Sequence, residues 1–223
     1  MTVNPAPRRR GRPARVSRGQ ILAAALALVD ANGLEQLTMR RLGAELGVDP
    51  MTIYGHVPDK AALFDGLVEL VLTEIELPAV SGAWEDDLRA VAYAARATWL
   101  AHPYVIPLLG TRPPVTESSF APVEAVTSIL LGAGLSEQQA ADGFDGLARL
   151  LIGHALAQVG RPPGDDVGGG EEEHRQAQLV LPPERYPALS RVQRAGVTHD
   201  PDRLFELGLD GLVLALRAGQ PAS

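Results

Sequence analysis

LTMRRLGAELGVDPMTIYGHVPDKAALFDGL, residues Leu37 to Leu67, is the stretch on which the fold turns. Thr38 is a good N-cap, and Met39, Leu42 and Leu46 follow at helical spacing before Gly47 closes the run, which predicts one short helix. Asp49 then Pro50 reads as an N-cap with a first-turn proline, because proline lacks only an N–H that has no helical partner there. A second short helix is therefore expected from Met51 to about Val57, stopped by Pro58. Two short helices joined by a tight turn are what a helix-turn-helix requires, since the second must present its N-terminal side chains to a major groove. Leu42, Leu46, Val48 and Ile53 supply a small core that locks the pair. Arg40, Arg41, Met51, Thr52, Tyr54, Gly55 and His56 are then left to divide between groove and backbone. On spacing alone the other reading is an αα-hairpin with solvated polar residues.

Upstream, Ser17 followed three residues later by Gln20 is a capping-box pattern, and Ile21, Ala25, Leu28 and Val29 fall on one face of the helix it opens. Gly33 is placed to end that helix as a left-handed C-cap. Downstream, Asp59 caps a longer helix with Leu63, Phe64, Leu67, Val68 and Val71 on one side, expected to continue to Pro78. Beyond Pro78 no stretch alternates with period two, so the chain reads as all-α, with about six more helices. These are Trp84 to Ala101, a short helix around Tyr104 to Leu108, Ser118 to Ala133, a helix opened by the Ser136–Gln139 capping box and running to Val159, a short segment over Pro187 to Ala195, and Asp200-Pro201 to Arg217. Residues 160–173, with two prolines, three consecutive glycines and a run of acids, read as a mobile loop. The expected organisation is a basic arm over 1–16, a helix-turn-helix head over 17–60 and a helical body over 61–223.

With 223 residues, 46% of them hydrophobic, the chain can bury a real core and has room for a small domain joined to a larger one. It has no cysteine, hence no disulfide, thiol nucleophile or thiolate metal site. The longest apolar run, Ile21 to Val29, is far too short to span a bilayer, and no apolar run follows the basic N-terminus, so a cytoplasmic protein without a membrane partner is expected. The net charge of -7 divides unevenly: nine Lys and Arg stand against five acids in residues 1–60, a balance of +4, which leaves -11 for the remainder. A basic head on an acidic body concentrates attraction for phosphate at one end. The arginine-rich stretch Arg8 to Arg18 has two readings, a solvated tail or an arm that follows phosphates or enters a minor groove. An enzyme would need a nucleophile, paired acids or metal ligands at working spacing, and five scattered histidines supply none, so neither catalysis nor a cofactor or metal is expected.

Leu37 to Leu67 resembles the DNA-binding head of the tetracycline-repressor (TetR) family of one-component regulators. Thr38, Leu42, Leu46, Gly47, Val48, Thr52, Tyr54, His56, Val57, Lys60 and Leu63 carry that resemblance almost position for position. It implies that Thr38, Thr52, Tyr54 and Lys60 contact phosphates, that Arg40 reads guanine and that Met51 makes an apolar groove contact. Arg41 and His56 complete the expected DNA surface. Gly55 departs from the family, which carries a large aromatic there among its closest members.

The body resembles the tetracycline-repressor-type C-terminal domain at LLGTRP, Leu108 to Pro113, and more loosely at LIGHALAQV, Leu151 to Val159. That resemblance implies a central ligand cavity and a homodimer built on the last two long helices. The residues point the same way: Phe144, Leu147, Leu151, Ala155 and Val159 form one stripe, and Leu204, Phe205, Leu207, Leu212, Val213, Leu214 and Leu216 surround the last helix. A helix apolar on most sides needs its own core and a twin, although a thick monomeric core is the other reading. An isologous dimer would set two reading helices about 34–36 Å apart on successive major grooves of a near-palindromic operator. Candidate ligand contacts are Leu67, Trp99, His102, Leu108, Thr111, Phe120, Leu147 and His154, of which Thr111 and His154 match family contact positions; each could instead be core, and His102 and His154 ordinary hydrogen-bonded histidines. Tetracycline-sensing members carry a magnesium-binding histidine where this chain has Leu108, which favours an apolar effector over a magnesium–tetracycline complex. The expected function is a repressor released from its operator by a small hydrophobic molecule; a DNA-binding activator or architectural protein without an effector is the alternative.

Overall fold

The structure, a computed structural model, describes residues 16–159, 182–197 and 200–220. The arm expected before Val16 and the loop expected over 160–173 lie outside the described residues. Every regular element among the described residues is helical. The first, α1 (Arg18–Asn32), opens with the full capping box: Ser17 Oγ accepts from the Gln20 N–H, and Gln20 Oε1 accepts from the Ser17 N–H at 2.9 Å. Gly33 ends it, but with φ 82° and ψ 163° rather than the expected left-handed helical geometry. This positive-φ conformation, open to glycine and strained for other residues, turns the chain into a 3-10 turn, Leu34–Gln36, before α2 begins.

Helix α2 (Met39–Leu46) starts on Thr38, whose Oγ1 accepts from the Arg41 N–H at 3.1 Å, and ends on Gly47 in the left-handed conformation, φ 65° and ψ 29°. Asp49 Oδ1 caps α3 (Pro50–Tyr54) by accepting from the Met51 N–H at 2.8 Å. This helix is shorter than the sequence suggests. The chain tightens at Gly55 and His56, where the His56 N–H bonds the Ile53 carbonyl at 2.9 Å, and this turn delivers Val57 into the core at 1% exposure. Asp59 caps α4 (Lys60–Thr73), which stops short of Pro78. Beyond it, Glu74 engages His102 and Ile75 is buried, so the chain leaves the helix to place both.

The rest comprises α5 (Trp84–Ala101), the one-turn α6 (Ile106–Leu109), a 3-10 turn over Glu117–Phe120, α7 (Ala121–Gly132), α8 (Glu137–Val159), α9 (Pro187–Arg194) and α10 (Pro201–Ala218). Helix α2 packs on α1 and α3, α4 on α1, α5 and α6, and α8 on α5, α6, α7 and α10. One cluster of buried side chains runs from Val16 and Ile21 in the head through Leu67 and Val71 of α4 to Leu147 and Phe205 in the body. Helix α4 is therefore the element shared by both ends. Three ion pairs fasten α10 along α5: Arg96–Asp202 at 2.6 Å, Arg89–Asp210 at 2.6 Å, and Arg217–Glu85. Among the described residues no helix is long and apolar enough to cross a membrane.

Candidate functional site

Two sites come out of this packing, one on the head and one inside the body. On the head, the small core predicted for the helix pair is in place, with Leu42 and Ile53 fully buried. Packing these inward leaves Thr38, Arg40, Met51, Thr52, Tyr54, His56 and Lys60 exposed on α2, α3 and the start of α4. Met51 is 73% and Tyr54 43% exposed, a large apolar and a large aromatic side chain held in solvent by a two-helix support. An exposed surface of guanidinium, hydroxyl, phenol and ammonium groups at helix N-termini has the chemistry that phosphates and base edges accept. Lys60 lies with its ammonium 5.3 Å from the centre of the Phe64 ring, which orients it without neutralising it.

Arg41 behaves differently from the expectation placed on it. Its Nη2 donates to Asn32 Oδ1 at 2.8 Å and its Nη1 to Gln36 Oε1 at 3.3 Å, so the guanidinium fastens α2 to the end of α1. The reason is geometric: the 3-10 turn that spacing did not reveal brings Gln36 and Asn32 beside it.

Inside the body, α4, α5, α7 and α8, with the end of α6 and the segment after it, line a partly open cavity of about 110 Å³. Its wall includes Val68 and Leu72 of α4, Ala95 and Trp99 of α5, Val126 of α7 and Leu147 of α8. Of the eight candidate ligand contacts, Trp99 and Leu147 line this space and the other six lie elsewhere. Leu67 is wholly buried while its neighbour Val68 takes the wall position, and Leu109 does so in place of Leu108; one residue along a helix rotates the side chain by about 100°. The Thr111 hydroxyl donates to the Pro107 carbonyl at 2.9 Å, and the wall residue is its neighbour Arg112. Phe120 is 47% exposed, the following Pro122 and Val123 lining instead.

The two histidines are structural in this arrangement. His102 Nδ1 is 2.9 Å from Asp30 Oδ2 on α1 and its Nε2 is 2.8 Å from Glu74 Oε2 beyond α4, so one imidazole joins three segments of chain. His154 Nε2 meets Gln158 Oε1 at 3.0 Å and its ring packs 5.0 Å from that of Phe205. Burial, together with the positive charge of Arg96, holds the His154 imidazole below its ordinary value. The α8 stripe already contained the wall residues Phe144 and Leu151, but nothing in its periodicity said which part of it faces a void.

Comparison with known proteins places these features. Residues 21–67 match the model of the bacterial regulatory proteins of the tetR family, and residues 77–218 that of the tetracyclin repressor-like C-terminal domain. The chain belongs to the TetR family. It is 30% identical to the HTH-type transcriptional repressor DrrR1 of Streptomyces coeruleorubidus over 91% of this chain and 80% of that protein. To the class D tetracycline repressor of Escherichia coli it is 28% identical over 90% of this chain and 88% of the other. Among solved structures, the Streptomyces coelicolor TetR family protein ActR in complex with actinorhodin superimposes with a TM-score of 0.80 at 31% identity, covering 93% of this chain and 99% of ActR.

Within this TetR-family body a third surface stands out. Leu204, Leu207 and Leu214 of α10 are 49%, 69% and 65% exposed, and Leu156 of α8 is 41% exposed. Phe205, Leu209, Val213 and Leu216 on the same helix are buried, so α10 is apolar on its outer side as well as its inner one. Leaving that much hydrocarbon on two long helices in water is unfavourable, and a second copy would cover it.

Proposed function

We propose that this TetR-family protein is a ligand-responsive transcription repressor that binds near-palindromic operator DNA as a homodimer and is released by a small apolar effector. The observation that carries the reading is the course of α4. Its first residue, Lys60, lies on the exposed head surface, and Val68 and Leu72, further along it, form part of the cavity wall. One rigid element thus belongs to both sites, the arrangement a ligand needs to bias the geometry of a distant surface. Residues 17–60 supply the reading head and residues from 61 onward the sensing and dimerising body. Thr38, Thr52, Tyr54 and Lys60 hold the phosphates, Arg40 reads guanine, and Met51 and His56 complete the groove contact, while Arg41 positions α2. Trp99 and Leu147 contact the effector. Exposed Leu204, Leu207 and Leu214 meet their twins across the dimer.

The function is exerted by binding rather than by catalysis, in the cytoplasm where the operator is. Relatives support a small-molecule effector: ActR has been solved with actinorhodin and with (S)-DNPA, and a TetR variant of Acinetobacter baumannii with minocycline. The test is fluorescence anisotropy of the full chain on the DNA upstream of its own coding sequence, on a scrambled duplex and on duplexes selected from a random pool, at two salt concentrations. Sequence-selective, salt-sensitive binding that Arg40→Ala with Tyr54→Ala abolishes is the expected result. Selection that enriches no sequence would overturn it.

A further inference from the structure

Arg112 is, among the described residues, the one with an ionisable side chain on the wall of the cavity, where its neighbours are aliphatic side chains, prolines, a phenyl ring and an indole. Its side chain is 27% exposed and its guanidinium only partly used. Nη1 donates to the Ala61 carbonyl at 3.2 Å and to Asp65 Oδ1, both on α4, and the Phe64 ring lies 5.4 Å from the guanidinium carbon. Nε and Nη2 make no hydrogen bond among the described residues. Those two nitrogens form one edge of the fork, two parallel donors at the spacing of a carboxylate's two oxygens. Resting on the reading of this cavity as the effector site, we infer that the effector is an apolar molecule carrying a carboxylate, which pairs with the Nε–Nη2 edge of Arg112.

Charge decides among the alternatives. A cationic molecule would meet no carboxylate on this wall and would bring its charge beside a guanidinium. A neutral hydrocarbon would fill the space but bury the open donor edge without an acceptor, which costs more than leaving the edge wet. An apolar acid satisfies both requirements, with hydrocarbon against hydrocarbon and an anion on the one fork available. Trp99 adds an independent sign: this wall residue is 6% exposed and its indole Nε1 is buried with no hydrogen-bond partner. An oxygen on the ligand within reach of this donor would satisfy it. The assignment also gives the acid a direct hold on α4, because the guanidinium it engages is bonded to Ala61 and Asp65.

The experiment compares 2-naphthoate with its uncharged isostere 2-naphthamide by isothermal titration calorimetry on the full chain. Only heat that diminishes in Ala148→Leu, which takes up part of the cavity from α8, is counted. The expected result is a preference of about tenfold or more for naphthoate, the scale of one charge-assisted pair, collapsing toward unity in Arg112→Met and partly kept in Arg112→Lys. The preference is a ratio within one protein, so a general weakening of Arg112→Met cancels; wild type and Trp99→Phe give the same ratio test without touching the ion pair. Equal affinity for the two probes overturns the acid assignment and leaves the cavity standing as a site for apolar ligands. Binding of neither probe in the Ala148-sensitive mode overturns both.

Discussion

Replacing Gly43 by alanine asks how closely the two helices of the head must approach. Gly43 is buried in α2, and a Cβ there would lie 2.9 Å from the Val48 carbonyl oxygen and 3.4 Å from two carbons of the Pro50 ring. The oxygen cannot swing aside, because the Val48 N–H is itself bonded to the Gly43 carbonyl at 2.9 Å and the turn is closed by Gly47. Helix propensity alone would favour alanine by about 1 kcal/mol. Forcing a methyl against backbone costs about 1–3 kcal/mol. The balance is a net loss of up to about 2 kcal/mol, and at about 2–4 °C per kcal/mol for a chain of this size it lowers the melting temperature by several degrees. The functional loss should be larger than the stability loss. To relieve the contact α3 must move away from α2 by a few tenths of an ångström, and groove contacts made by both helices then lose register, a drop of about tenfold in operator affinity. Gly47→Ala is the control. Gly47 needs its positive φ of 65°, but nothing lies within 4 Å of its Cβ position, so alanine there costs about 1 kcal/mol of backbone strain without displacing α3. Urea denaturation and anisotropy on one operator duplex separate the two variants: both lose stability, and only Gly43→Ala loses affinity in the folded form. Gly43→Ala that melts above wild type and binds equally well would refute the reasoning.

His102→Leu leaves Asp30 and Glu74 without the imidazole that joins them, and a loss of about 1.5–3 kcal/mol is expected from hydrogen bonds to charged groups; an unchanged urea midpoint would count against it. His154 is held below its ordinary value of 6.5 by burial and by Arg96, so folding opposes its protonation. Its contribution is complete above pH 6.5 and declines as the pH falls below 6.5 toward the lowered value; His154→Gln should flatten that limb of the stability profile, and an identical limb in the variant refutes it. Ala148→Leu takes up part of the cavity without pressing its walls apart, so operator binding should persist while release by effector is weakened, as read by anisotropy with the cognate molecule; release at the wild-type concentration would show that the effector binds elsewhere.

The parts of the molecule that were legible in its sequence are those written in local chemistry. Ser17 with Gln20, Thr38, Asp49-Pro50, Asp59 and Asp200-Pro201 are caps whose hydrogen bonds involve residues two or three positions away, and each opens the helix it announced. Which head side chains face out was legible too, since a two-helix support this small leaves little choice, whereas their expected roles toward DNA come from the family resemblance. The place of Arg41 was not legible, because its partners Asn32 and Gln36 are brought near by a 3-10 turn that has no strong pattern. The cavity was hardest. Whether Leu67 or Val68, and Leu108 or Leu109, faces a void depends on one residue of helical phase, and both members of each pair suit a core; Thr111 and Arg112 lie past the end of α6, where no periodicity says which of them turns to the void. His102 and His154 carry two readings, ligand contact or ordinary hydrogen-bonded histidine, His154 because it matches a family contact position, and each finds hydrogen-bond partners within the chain.

The size of the cavity bears on how the proposed release works. At about 110 Å³ it is well below the ~300–1,000 Å³ of pockets that hold drug-sized molecules. An effector of that size cannot enter without moving walls, and Val68 and Leu72 on α4 belong to those walls. The same helix is joined along its length to the parts that orient the head: Gly66 packs directly on the Leu22 side chain of α1, and Glu74 just past its end holds His102, which holds Asp30. Swinging an operator complex from nearly full to nearly empty requires a preference of about 5.5 kcal/mol for the released form. If the tight form excludes the molecule outright, all of the affinity of the widened form counts as preference. At about 25 cal/mol per Å² that is roughly 220 Å² of newly buried apolar surface, less than a two-ring hydrocarbon offers. A cavity too small for its ligand is on this account the source of the switch, and an enlarging substitution such as Leu72→Ala should weaken the response to effector while raising affinity for it.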